Sequence, residues 1–160
     1  MQQPSTRRRR VAVLSIALTL LAVCGCGSLA VKISEENDVE KLLLRLSDER
    51  SWVREHAAIR LGQLKATRAV PALISALGDE KPWVRERAAQ ALGAIGSSKA
   101  TQPLIGALED KNVNVVCAAM TALGEIGDRS AIDALVGMRK SEKLLVQGVA
   151  EQAYERLLSR

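Results

Sequence analysis

The sequence predicts an all-α fold, an α-solenoid of about four antiparallel helix pairs, and three observations carry that prediction. The stretch Val53-Arg54-Glu55-His56-Ala57-Ala58-Ile59-Arg60-Leu61-Gly62-Gln63-Leu64 is written again 31 residues later, from Val84 to Ile95, and once more from Val115 to Ile126. Self-similarity at a fixed period of this length marks stacked repeats. Within each copy the apolar positions recur at steps of four, four and three, as Val53, Ala57, Leu61 and Leu64 and then Val84, Ala88, Leu92 and Ile95. That spacing lines one face of a helix. With two Trp, one Tyr and no Phe, the core between such helices must be built from Leu, Val and Ala.

In chain order, the first element is an export segment. Arg7 to Arg10 precede an uncharged run from Val11 to Val31, the layout of a positive n-region and an apolar h-region. Positive charge stays on the cytoplasmic side, so the chain after Lys32 is expected outside the cytoplasm. The end of the run, Ala22-Val23-Cys24-Gly25-Cys26-Gly27-Ser28, resembles the cleavage box of bacterial lipoproteins, in which a small residue precedes the cysteine that takes the lipid. Gly25 satisfies that pattern for Cys26 and Val23 does not for Cys24. Cys26 is therefore the expected lipid attachment, with Cys24 as the alternative, and residues 1–26 the signal peptide. By the same resemblance, Gly27 in place of Asp directs the chain to the outer membrane if the cell has two. An uncleaved membrane anchor, which 21 uncharged residues also permit, and simple secretion are the other readings.

The charge argues the same way. The formal balance is +5, from 23 basic and 18 acidic residues. Arg7 to Arg10 supply four of the basic residues, and the remainder is close to neutral, without the clustered excess that nucleic acid requires. With Cys24 and Cys26 in the export segment, Cys117 stands alone in the mature domain and no disulfide framework is available.

After a linker at 27–36, the repeat array is expected over 37–160, in units 37–68, 69–99, 100–130 and 131–160. Asn37 with Glu40 predicts an N-cap and capping box for the first outer helix, through Val39, Leu42, Leu43 and Leu46. Its equivalents begin near Val70 and Thr101, with Pro71 and Pro103 in first turns, where a missing N–H costs nothing. A loop follows each, carrying Asp48, Asp79 or Asp110. The inner helix then opens, with Ser51 as a candidate cap in one copy and Pro82 at the entrance of the next. Gly62, Gly93 and Gly124 fall late in the inner helices and are expected where backbones approach closely; Gly96 and Gly127 are expected C-caps. In the fourth unit Glu151 and Glu155 stand where earlier copies have small or apolar residues, as a capping repeat with a polar outer face would.

The pattern Asp48 … Val53-Arg54 … Ala57-Ala58 … Leu61-Gly62, repeated as Asp79 … Val84-Arg85 … Ala88-Ala89 … Leu92-Gly93, resembles the short HEAT-like repeats first associated with phycobilisome lyases. The third copy keeps Asp110, Val115, Ala119, Leu123 and Gly124 but has Val116 in place of the Arg. The resemblance implies a HEAT-like superhelix, and an inter-repeat ladder in which Asp48, Arg54, Asp79, Arg85 and Asp110 are structural. The other reading of these five residues is direct partner contact. For activity it spans lyases, an iron-dependent hydroxylase, DNA-binding enzymes and scaffolds.

The hydroxylase members hold iron with several His-Glu pairs, whereas this chain has one His, in Glu55-His56. One His does not make a metal-ligand set or a Ser-His-Asp relay. No catalytic residue, metal, cofactor or small-molecule substrate is therefore expected. A ridge remains. If Val53, Ala57 and Leu61 face inward, Trp52, Glu55 and Ile59 project from the same helix, with Trp83, Glu86 and Gln90, then Cys117, in register beside them. Such a ridge presents aromatic anchors to a protein partner; the competing reading packs each Trp over the seam between repeats. Cys117 on it either forms mixed disulfides or is an inert small residue. The expected function is an exported, lipid-anchored scaffold binding an unidentified protein at the cell envelope, and not an enzyme. The alternative is a HEAT-like enzyme of phycobilin-lyase or iron-dependent hydroxylase type, against which the export segment weighs.

Overall fold

The computed structural model describes residues 38–159, and the expected signal peptide, linker, Cys24, Cys26 and Asn37 lie outside them. Among the described residues eight α-helices alternate short and long: α1 (Val39–Arg45), α2 (Ser51–Gln63), α3 (Val70–Ala76), α4 (Pro82–Ile95), α5 (Thr101–Gly106), α6 (Val113–Ile126), α7 (Ile132–Met138) and α8 (Leu144–Leu158). Single 3-10 turns at Thr67–Ala69, Ser98–Ala100 and Arg129–Ala131 lead into the outer helices α3, α5 and α7. Among the described residues there is no strand. Each outer helix packs on the inner helix that follows it, and the inner helices α2, α4, α6 and α8 stack successively.

The repeat period fixes the core. Val53, Ala57 and Leu61 on α2, Val84, Ala88 and Leu92 on α4, and Val115, Ala119 and Leu123 on α6 are fully buried. From the outer helices Leu42, Leu73, Leu104 and Leu135 meet them. Small residues set the spacing between inner helices. A Cβ on Gly62 would lie 2.8 Å from Ala91 Cα, one on Gly93 2.8 Å from Ala122 Cα, and one on Gly124 3.0 Å from Ala153 Cα. The late glycines therefore let each inner helix rest its backbone on an alanine of the next.

Two expected caps are corrected. The N-cap of α1 is Asp38, whose Oδ1 accepts from the Glu40 backbone N–H at 3.1 Å. Ser51 is the first residue of α2, and Arg50 occupies the cap position without a side-chain bond to the helix. At the other helix ends Gly96 and Gly127 close α4 and α6 in the left-handed region, at φ 74 and 79. The same position after α2 is Lys65, at φ 49. There an L-residue bears a conformation that costs about 1–2 kcal/mol.

Candidate functional site

Two arrangements run along the stack. The first is a ladder of arginine and aspartate across the repeats. Arg54 donates from Nε to Asp79 Oδ2 at 2.6 Å and from Nη2 to Asp79 Oδ1 at 2.9 Å, while its Nη1 donates back to the Asp48 carbonyl at 2.9 Å. Arg85 repeats this with Asp110, at 2.6 and 2.8 Å, and with the Asp79 carbonyl at 2.8 Å. Each Asp also starts its own inner helix: Asp79 Oδ1 accepts from the Lys81 N–H at 2.9 Å and Asp110 Oδ1 from the Asn112 N–H at 2.8 Å. Bidentate charge-assisted pairs of this kind are the strong ones. The Arg85 guanidinium holds the Asp110 carboxyl below the usual range against the cost of burial. Burial of Asp79 opposes its ionisation, yet the Arg54 hydrogen bonds and the Lys81 N–H together hold its carboxyl low.

The ladder stops in a matched way at both ends of the described residues. Asp48 is taken by Arg50 of its own repeat, from Nε at 2.9 Å and Nη2 at 3.0 Å; hydrogen bonding to Arg50 brings its pKa down to about 2. In the third and fourth repeats Val116 stands for the Arg and Ser141 for the Asp, so both charges are gone together. Gln147 keeps only the local bond, from Nε2 to the Ser141 carbonyl at 2.7 Å. Removing a pair whole leaves no buried charge unpaired.

The second arrangement is the ridge on the inner helices. Trp52 is half-buried and packed on the core, with the His56 ring edge-on at 6.2 Å and the Arg50 guanidinium 5.5 Å from its ring centroid. Trp83 is 44% exposed. The two tryptophans are therefore unequal: one belongs partly to the seam and the other stands out to solvent. Glu55 and Glu86 are tied into a polar chain that crosses from α2 to α4. Arg87 Nε donates to Glu55 Oε1 at 3.3 Å, Arg87 Nη1 to Gln90 Oε1 at 2.9 Å, and Gln90 Nε2 to Glu86 Oε1 at 3.2 Å. Ile59 is half-buried beside it.

Between α4 and α6 lies an open groove of about 250 Å³ lined by Glu86, Gln90, Asn114, Cys117 and Thr121. Cys117 is half-buried, and burial pushes its thiol up, which disfavours the reactive thiolate. Sequence reasoning missed Arg87, because its partner Glu55 lies one period plus one residue away. It also missed Leu145, which occupies the register of Trp52 and Trp83 on α8 and is 59% exposed. His56 Nδ1 lies 2.8 Å from the Trp52 carbonyl oxygen. Among the described residues no group of three His, Cys, Asp or Glu side chains converges as metal ligands would.

Helix pairs stacked at a fixed period around one continuous core define an α-solenoid of helical repeats. The family model described as HEAT repeats matches residues 39–116 and 87–155, and the chain belongs to that family. No curated protein matches the sequence. Among solved structures, the chain is similar to one in the complex of CpcE and CpcF of phycocyanin lyase from Nostoc sp. PCC7120, with a TM-score of 0.71 and 29% identity over 82% of this chain. It is similar also to human deoxyhypusine hydroxylase, with a TM-score of 0.69 and 25% identity over 79%. An engineered protein, with a TM-score of 0.61 and 23% identity over 76% of this chain and 62% of its own, shares the fold. The chain spans 57% of the lyase chain and 45% of the hydroxylase.

These likenesses correct one expectation. Both named proteins are enzymes, so the conclusion from a single His and an export segment that the chain is not an enzyme does not stand. A catalytic HEAT-repeat chain need not carry a recognisable local motif, because its site can be assembled across repeats or with a second chain.

Proposed function

We propose that the chain is a partner-binding HEAT-repeat module whose inner-helix ridge recognises a protein. The exposed Trp83 on α4, in register with Trp52 on the neighbouring helix α2, is the observation that carries this reading; at the same register α6 has Asn114 and α8 the exposed Leu145. Tryptophan at the centre of a ridge supplies a large apolar contact at low entropic cost, and the neighbouring Glu55–Arg87–Gln90–Glu86 chain is already ordered before binding. The positive run Arg7 to Arg10, the apolar run after it and the lipoprotein-like box around Cys26 support a module exported and held by lipid at the cell envelope, in the outer membrane where there are two.

The structural likenesses favour a second reading for the same ridge. The lyase structure is a complex of two chains, and this chain would likewise contribute a ridge to an enzyme completed by another protein, of lyase or hydroxylase type. The two readings share a partner-binding ridge and differ in what the assembly does. Capture of the tagged full chain from intact cells, wild type against Trp83→Ala, tests the ridge. A protein held by the wild type and lost from a folded variant supports it, and equal capture by both opposes it. Pigment or metal in the captured complex would establish the enzyme reading over the scaffold.

A further inference from the structure

Five large apolar side chains are exposed among the described residues, and three of them, Leu144, Leu145 and Leu158, lie on α8. The preceding inner helix shows what one face of α8 corresponds to. On α6, Val116, Met120 and Gly124 are buried, with Gly124 against Ala153 of α8. One period on, the same face of α8 carries Gln147, Glu151 and Glu155, flanked by Leu144, 84% exposed, and Leu158, 50% exposed. Beside it, between α7 and α8, runs an open groove of about 600 Å³ lined in part by Val136, Lys140, Leu144 and Gly148. Glu155 stands where Gly124 allows close approach, so this face does not accept another repeat at the spacing used inside the stack.

Its layout instead matches itself. Leu144 lies seven residues before Glu151 and Leu158 seven after, which places both leucines on one face. Lys143 is the N-cap of α8, with Lys140 and Glu142 in the turn before it, and the last turn carries Glu155 and Arg156. At the centre Glu151 is paired with Arg139, whose guanidinium lies 4.7 Å over the Tyr154 ring, so the middle of the face is neutral. When a second copy is turned end over end, each Leu144 meets a Leu158, the Glu142 and Lys143 of one copy come to the end that carries Arg156 and Glu155 of the other, and the helix dipoles oppose. A two-fold contact of this kind closes on itself. We propose that α8 is a self-association surface on which a second copy of this chain docks antiparallel, about an axis passing near Glu151.

Zero-length carbodiimide crosslinking of the full 160-residue chain in detergent, followed by peptide mass spectrometry, tests this without any substitution. Within one chain Lys143 and Glu155 are separated by about 18 Å of helix, so a bond between them can form only between copies. The expected result is a species of doubled mass carrying Lys140–Glu155 or Lys143–Glu155 links. Leu144→Glu, at a solvent-facing site, should lower its yield about tenfold or more while helix content is unchanged. A chain that sediments as a monomer up to about 100 μM, or doubled-mass links that join α8 to α1 or α2, would overturn the proposal.

Discussion

At the scale of single residues, the Arg–Asp ladder is where one change has the largest consequence. Arg54→Val leaves Asp79 a carboxylate that is 10% exposed and without its cation, which should cost about 3–5 kcal/mol. The chain itself supplies the compensated form, because Val116 with Ser141 replaces a whole rung, and Ser141 Oγ still accepts from the Lys143 N–H at 3.3 Å. Arg54→Val with Asp79→Ser should therefore fall within about 1–2 kcal/mol of the wild type in urea unfolding, well above the single variant. The same rungs set the acid limit. Asp48, Asp79 and Asp110 titrate below their unfolded values. Their stabilisation is complete above the unfolded pKa of about 3.9 and is lost as pH falls through the folded values. The urea midpoint should thus drop between pH 4 and 2, less steeply in the double variant than in the wild type. Lys65→Gly relieves a left-handed residue at the end of α2 and should raise the thermal midpoint, by about 1 kcal/mol in stability.

At the scale of elements, the helices were legible because their apolar spacing and glycines repeat at one period, so three copies vote on each position. The boundaries were less so. Asn37, from its spacing to Glu40, and Ser51, from residue type, are the caps the sequence suggests, but Asp38 and Arg50 occupy the positions, since a cap is chosen by backbone geometry that neighbouring packing sets. Within the helices the glycines are not equivalent. Gly93→Ala places a Cβ 2.8 Å from Ala122 Cα and should destabilise by about 1–3 kcal/mol. Gly106→Ala, on α5 with nothing within 4 Å, should stabilise by about 0.5–1 kcal/mol. Chemical denaturation of the two variants side by side checks both signs. If Gly93→Ala is neutral, the inner helices do not rest on each other through this contact.

At the scale of the whole molecule, the solenoid follows from the period, and its ridge from adding that period to Trp52, Glu55 and Ile59. What the ridge does was not legible, because a repeat surface carries no catalytic pattern that the chain must keep, and fold alone admits both scaffold and enzyme. The polar chain through Arg87 and the inequality of Trp52 and Trp83 depend on how α2 and α4 rotate against each other, which periodicity does not specify. That inequality makes Trp83 the cleaner probe. Truncating a side chain 44% exposed should cost about 1–3 kcal/mol, less than emptying a core site, so a loss of binding at unchanged helix content belongs to the surface. Capture from intact cells, comparing the tagged full chain with Trp83→Ala at equal helix content, is the measurement on which the ridge stands. A specific protein retained by the wild type and depleted at least tenfold by the variant is the expected result; a partner held equally by both, or a variant that fails to fold, would contradict it.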